Sequence, residues 1–176
     1  MKNTLFALLI LALLATTDCS YKPLETAQNV DLQKYAGTWY EIAHLPTSFQ
    51  KGCRCTKAEY TPAGTDRINV TNSCVKEKGN WDIANGHAKV TDPSTNAKLK
   101  VKFGIGGGKY WILDVPEDYS YAIVGHPNRN YLWILSREKT MDESLFNQLV
   151  AKAKDGGFPT AKLIRTNQSC GEDTSK

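Results

Sequence analysis

From Thr38 to Arg137, short runs rich in β-branched and aromatic residues alternate with clusters of turn formers at near-regular spacing. The runs are Thr38 to Leu45, Cys55 to Thr61, Arg67 to Val75, Trp81 to Thr91, Leu99 to Phe103, Tyr110 to Val115, Ser120 to Gly125 and Tyr131 to Arg137, eight in all. Between them stand Pro62-Ala63-Gly64-Thr65-Asp66, Lys78-Gly79-Asn80, Asp92-Pro93-Ser94-Thr95-Asn96, Gly104 to Gly108, Pro116-Glu117-Asp118 and His126-Pro127-Asn128. These residue types supply the backbone angles that tight turns need. Strands this short, joined this tightly, predict an antiparallel meander. Eight of them can close on themselves, which removes the exposed edges, and at that number the interior just holds one small ligand.

One helical segment follows, Met141 to Lys154, in which Leu145, Leu149 and Ala153 recur every four residues with Phe146 and Val150 beside them. Asp142 and Glu143 near its start and Lys152 and Lys154 near its end suit the helix dipole, and Gly156-Gly157 stop it. The predicted fold is therefore all-β: an eight-stranded up-and-down antiparallel β-barrel with one C-terminal α-helix packed on the outside. Ala161 to Arg165 is a last extended piece able to pair with a free edge. No internal repeat or interdomain linker is apparent.

Lys2 precedes an unbroken apolar run from Leu5 to Ala15, too short to anchor in a bilayer. Residues 1–19 read as an export signal and 20–176 as a single domain large enough to bury a real core. Export makes disulfides possible. With Cys19 removed or lipidated, an even set remains: Cys53, Cys55, Cys74 and Cys170. The hairpin centred on Gly64-Thr65 puts Cys55 roughly opposite Cys74 and Cys53 two residues further out, so both are within reach of it. In a eukaryotic cell Asn69-Val70-Thr71 and Asn167-Gln168-Ser169 are glycosylation acceptors.

Alternation sets the interior. Lys98, Lys100 and Lys102 occupy the outer face of one run, so Leu99, Val101 and Phe103 point inward. If Cys55 faces out, Thr56, Ala58 and Tyr60 face in. In the last run Tyr131, Trp133, Leu135 and Arg137 share a face, and a buried arginine there demands a partner.

Several chemistries fit poorly. The net charge of +4 comes from 22 basic and 18 acidic residues scattered along the chain, which does not make a nucleic-acid surface. His44, His87 and His126 lie on separate strands or turns without a Cys or carboxylate at ligand spacing, so no metal and no cofactor is expected. Glu41 and His44, three apart on a strand, are expected on opposite faces, at the surface or barrel mouth, and unable to act together. Cys53-Arg54-Cys55 has the wrong spacing for a redox pair. Phe103 to Tyr110, "FGIGGGKY", joins strand to strand with no helix to receive a phosphate, and reads as a flexible hairpin at the barrel rim.

Three motifs now fall into place. Gly37-Thr38-Trp39-Tyr40 resembles the Gly-x-Trp signature of the lipocalins, Asp118-Tyr119-Ser120-Tyr121-Ala122 their second signature and Trp133-Ile134-Leu135-Ser136-Arg137 their third, in the same order and at the same spacing. Glu117 departs from the usual threonine of the second and receives no role. "GTWYEIAHLP", "AKLKVKF", "YWILDV" and "NYLWILSR" are most similar to the branch of bacterial outer-membrane lipocalins and apolipoprotein D. The resemblance implies that Arg137 lies across Trp39 and closes one end of the barrel. It implies a Cys55–Cys170 bond, which leaves Cys53 with Cys74. It also places Ala84, Gly86 and Ala88 inside, beside Tyr110, Ile112 and Trp133.

The implied function is binding and transport or storage of a fatty acid, lysophospholipid or similar lipid, in membrane maintenance or stress. Ala58, Tyr60, Ala84, Ala88, Leu99, Val101, Phe103, Tyr110, Ile112 and Trp133 are the expected ligand contacts. No catalytic residue is expected; the alternative is a barrel enzyme that isomerises or de-epoxidises a bound lipid, with Glu41 or Asp114 acting alone. Cys19 is a lipidation site in the bacterial branch, although Ala15-Thr16-Thr17-Asp18-Cys19 departs from the usual Leu-Ala/Ser-Gly/Ala-Cys. Acylation there makes an outer-membrane lipoprotein, and ordinary cleavage a secreted or periplasmic one. The expected state is a monomer or weak dimer.

Overall fold

The computed structural model describes residues 23–170. The expected signal, 1–19, and Cys19 lie outside them. The elements run α1 (Leu32–Tyr35), β1 (Gly37–His44), β2 (Arg54–Pro62), β3 (Arg67–Val75), β4 (Trp81–Val90), β5 (Lys98–Phe103), β6 (Gly106–Asp114), β7 (Tyr121–Gly125), β8 (Leu132–Ser136), α2 (Glu143–Asp155), a 3₁₀ turn (Thr160–Lys162) and β9 (Ile164–Arg165). Strands β1 to β8 pair antiparallel in sequence order, and β1 pairs both β2 and β8, which closes the barrel. All eight expected strands are present, with α2 on the outside.

Two cores share the wall between them. The inner one gathers inward-facing residues of the strands around Trp39, Ile68, Leu99, Ile112 and Val124, with Val30, Leu32 and Tyr35 from the segment before β1. The outer one packs Leu149 and Ala153 of α2, with Phe158, on Ile42, Ala43, Ile123, Leu132 and Ile134. Asp142 caps α2, its carboxylate accepting from the main-chain N–H of Ser144 and Leu145.

Three expectations change. The segment "FGIGGGKY" forms the expected hairpin but with a shorter turn than Gly104 to Gly108: Gly106, Gly107 and Gly108 pair with Phe103, Lys102 and Val101, leaving only Gly104-Ile105 as the turn. Gly104 has φ +51°, as a two-residue hairpin with glycine first requires. A side chain at Gly107 would meet the Val101 carbonyl at 2.3 Å, so glycine here permits close strand approach. Ala161 to Arg165 is extended only at its end. Ile164 and Arg165 pair with His44 and Ala43, whereas Thr160–Lys162 turns.

The third concerns Glu41 and His44, which are not on opposite faces. Glu41 pairs with Leu135 and Ala43 with Ile134, so β1 carries one extra residue at Ile42. Such a bulge reverses the inside–outside alternation beyond it. Glu41 and His44 thus come to the same side, opposite Leu135 and Trp133, and both are buried, at 3% and 8% exposure. A second bulge, between Ile112 and Asp114 of β6, sets Asp114 opposite Ile123 and turns it outward to α2.

Candidate functional site

The barrel is closed at the end where Gly37 (φ +95°) turns the chain into β1. Trp39 is fully buried and its indole N–H donates to the Tyr35 carbonyl at 2.8 Å. The Arg137 guanidinium stacks 3.8 Å above the Trp39 ring. Its N–H groups donate to the carbonyls of Thr38, Lys34, Ala36, Tyr35 and Tyr119. One cation thereby takes up the main-chain acceptors of α1 and the start of β1 and seals the floor. α1 itself, capped by Asp31, was not anticipated; four residues are too few to show periodicity.

Above the floor lies a cavity of about 670 Å³. Ala58 and Tyr60 of β2, Ala84 and Ala88 of β4, and Leu99, Val101 and Phe103 of β5 line it, as do Tyr110 of β6 and Trp133 of β8. Ile112 does not. It is completely buried in the inner core, where Ala27 and Ala97 flank its backbone, and the expected contact is corrected to a packing role. Gly86 leaves no free space either: a Cβ there would meet the Lys102 carbonyl at 2.3 Å and the Phe103 ring at 2.6 Å.

The lining has polar groups at two levels. Near the floor the hydroxyls of Tyr35, Tyr110 and Tyr60 form a chain, with 2.7 Å and 2.8 Å between successive oxygens. Burial pushes Tyr60 up to about 12 and Tyr35 and Tyr110 well above the ordinary phenol value, so all three stay protonated. Higher on the wall, Glu41 accepts from Gln50 Nε2 at 2.5 Å and Thr166 Oγ1 at 2.6 Å, with His44 Nε2 3.8 Å away. Gln50 in turn accepts from the Trp133 indole N–H. Burial raises the Glu41 carboxyl, against the opposing effects of His44, Thr166 and Gln50. Thr56 Oγ1 and Ser73 Oγ, on two further lining residues, are buried without a hydrogen-bond partner.

At the rim, Phe49, Tyr131 and Trp133 stack in series, with centroids 6.3 and 6.1 Å apart. Residue spacing does not reveal Tyr35, Phe49 or Gln50 as lining residues, because they depend on α1 and a loop, whereas alternation from Trp39 already turns Glu41 inward. Asp114 is unavailable to the cavity: its carboxylate pairs with Lys152 Nζ at 2.7 Å on the outside. Two disulfides hold the rim and the C-terminal segment, Cys53–Cys74 and Cys55–Cys170, the pairing that the resemblance implied. Among the described residues no three His, Cys, Asp or Glu side chains are placed to hold a metal ion. None of the described helices is long and apolar enough to cross a membrane.

Residues 30–168 match the family model of the lipocalin-like domain. Temperature-induced lipocalin-1 of Arabidopsis thaliana is 41% identical over 160 residues, covering 84% of each chain. The outer membrane lipoprotein Blc of Vibrio cholerae is 38% identical over 152 residues, covering 85% of this chain and 87% of its own. Among solved structures, insecticyanin of the tobacco hornworm Manduca sexta superposes with a TM-score of 0.67 at 26% identity, covering 82% of this chain and 84% of that one.

Proposed function

The chain belongs to the lipocalin family, and from that premise we propose that it is an exported carrier of a fatty acid, lysophospholipid or similar single-chain lipid. The observation that carries this reading is the cavity itself: about 670 Å³, sealed at the Trp39–Arg137 end and walled mainly by apolar side chains. That size is typical of small-molecule sites. At ~0.8 kcal/mol per buried methylene, an acyl chain can be held there by burial alone. Entry is by the opposite end, past Phe49, Tyr131 and Trp133.

The outer membrane lipoprotein similar to this chain supports a place at the cell envelope, with Cys19 as the anchor when acylated. A role in membrane maintenance or stress accords with such a place. Intact mass of the mature protein separates an acylated Cys19 from cleavage that frees the domain. For binding, the test is displacement of a fluorescent fatty acid by unlabelled lipid. Competition at micromolar concentration is the expected result, and its absence would overturn the carrier reading.

A further inference from the structure

Tyr35, Tyr60 and Tyr110 come from α1, β2 and β6 and meet beside Trp39, at the deepest part of the cavity. Each phenol has one proton to donate and lone pairs to accept with. Three hydroxyls joined by two hydrogen bonds use two protons, and the third is left over whichever way the chain of bonds runs. If Tyr35 donates to Tyr110 and Tyr110 to Tyr60, the spare proton is on Tyr60. In the reverse sense it is on Tyr35, and if both outer hydroxyls donate inward it is on Tyr110. Among the described residues these oxygens bond only to one another.

We propose that this tyrosine node is a recognition point at the closed end of the cavity for a neutral oxygen, hydroxyl or carbonyl, on the end of the ligand that enters first. The inference rests on the carrier reading and narrows its ligand class, to a chain oxygenated at the end remote from its headgroup. A neutral group suits the node better than a carboxylate. Tyr35 and Tyr60 are buried and Tyr110 partly so, and all three phenols stay protonated. Arg137, which acts electrostatically on Tyr35, has its donors engaged by main-chain carbonyls. A buried anion would therefore meet a neutral donor without a cation to pair with, an arrangement that is strongly disfavoured. A hydroxyl, in contrast, both takes the spare proton and finds lone pairs for its own.

The donor count dictates the test. Any one of the three hydroxyls alone still has a spare proton, so replacing one or two tyrosines keeps a donor, and only the triple replacement removes it. Wild type, Tyr35→Phe/Tyr60→Phe and the triple variant with Tyr110→Phe added are titrated with palmitic acid and its ω-hydroxy counterpart, and with lauric acid and its counterpart. The reading is the ratio of the two Kd values within each protein. In wild type and the double variant the ω-hydroxy acid should bind at least as tightly as the plain acid at the chain length that reaches the floor. In the triple variant it should bind about tenfold or more weakly, because the buried hydroxyl loses its partner. A wild type that rejects the ω-hydroxyl about tenfold at both lengths overturns the node without any variant, as does an equal ratio in wild type and triple variant. Failure of wild type to bind palmitic or lauric acid at all would instead overturn the carrier reading, and the node with it.

Discussion

At the scale of single residues, half-buried Arg137 and buried Glu41 illustrate two opposite treatments of an ionisable side chain. Arg137 combines an indole face with five main-chain carbonyls. Arg137→Ala leaves those acceptors unpaired and should cost about 2–4 kcal/mol, read from urea unfolding, while Arg137→Lys should recover little because an ammonium lacks the planar fork. Glu41 is a carboxyl whose neutral form the fold favours, since burial is the largest influence on it. Its folded value lies above the unfolded one, so its contribution to stability is complete below the ordinary glutamate range and is lost as pH rises through the raised value. Melting temperatures followed from acid to neutral pH should fall across that window in wild type, and Glu41→Gln should flatten the slope whatever its absolute stability. The placement of His44 was not legible in the sequence: alternation from Trp39 turns Glu41 inward and His44 outward, and nothing in "GTWYEIAHLP" announces the bulge at Ile42 that brings His44 back to the side of Glu41.

At the scale of elements, the strands were legible because turn chemistry and alternation are local properties of the chain. Arg67–Val75 has the bounds expected for it, and the others differ by a residue or two except β6, whose glycines hide a paired segment. Those glycines are spacing devices. Gly86→Ala would drive a methyl into the Lys102 carbonyl and the Phe103 ring. The backbone cannot yield as a side chain would, so a loss of about 2 kcal/mol or more is expected, measured as a lower midpoint in urea without loss of the β-sheet circular dichroism. Asp142→Ala should cost about 1 kcal/mol, the ordinary value of a helix N-cap, and loosen α2 on the outer core. What stayed hidden at this scale, α1 and the two bulges on β1 and β6, depends on tertiary packing and leaves no period to read.

At the scale of the whole molecule, closure separates two jobs. The outer core with α2 supplies rigidity, and the inner core stops short of filling the barrel. Stability and binding should therefore be separable. Ala58→Trp puts bulk into the cavity beside residues that already line it, and should weaken displacement of a bound fatty acid at least about tenfold with a stability change below ~1.5 kcal/mol. In wild type a saturating lipid should raise the melting temperature, by about 2.7 kcal/mol of stabilisation at one hundred times Kd. At the same lipid concentration a tenfold weaker Kd in Ala58→Trp should cut that stabilisation to about 1.4 kcal/mol. The three family signatures made the closed floor legible, whereas the cavity's polar groups emerged only from which strands the barrel brings together.

Cys55 and Cys170 are 115 residues apart in sequence, and Cys55 lies on β2 while Cys170 ends the described chain. In the folded chain the last segment runs back past β1 and the Asn167 carbonyl accepts from the Cys55 main-chain N–H, which holds the two cysteines together. The crosslink thus favours, among all the chain's possible closures, the one in which it has completed its circuit. Reduced, non-native and finished molecules should run as distinct species on a non-reducing gel, so that the protein carries its own tally of how many copies reached the assembled state.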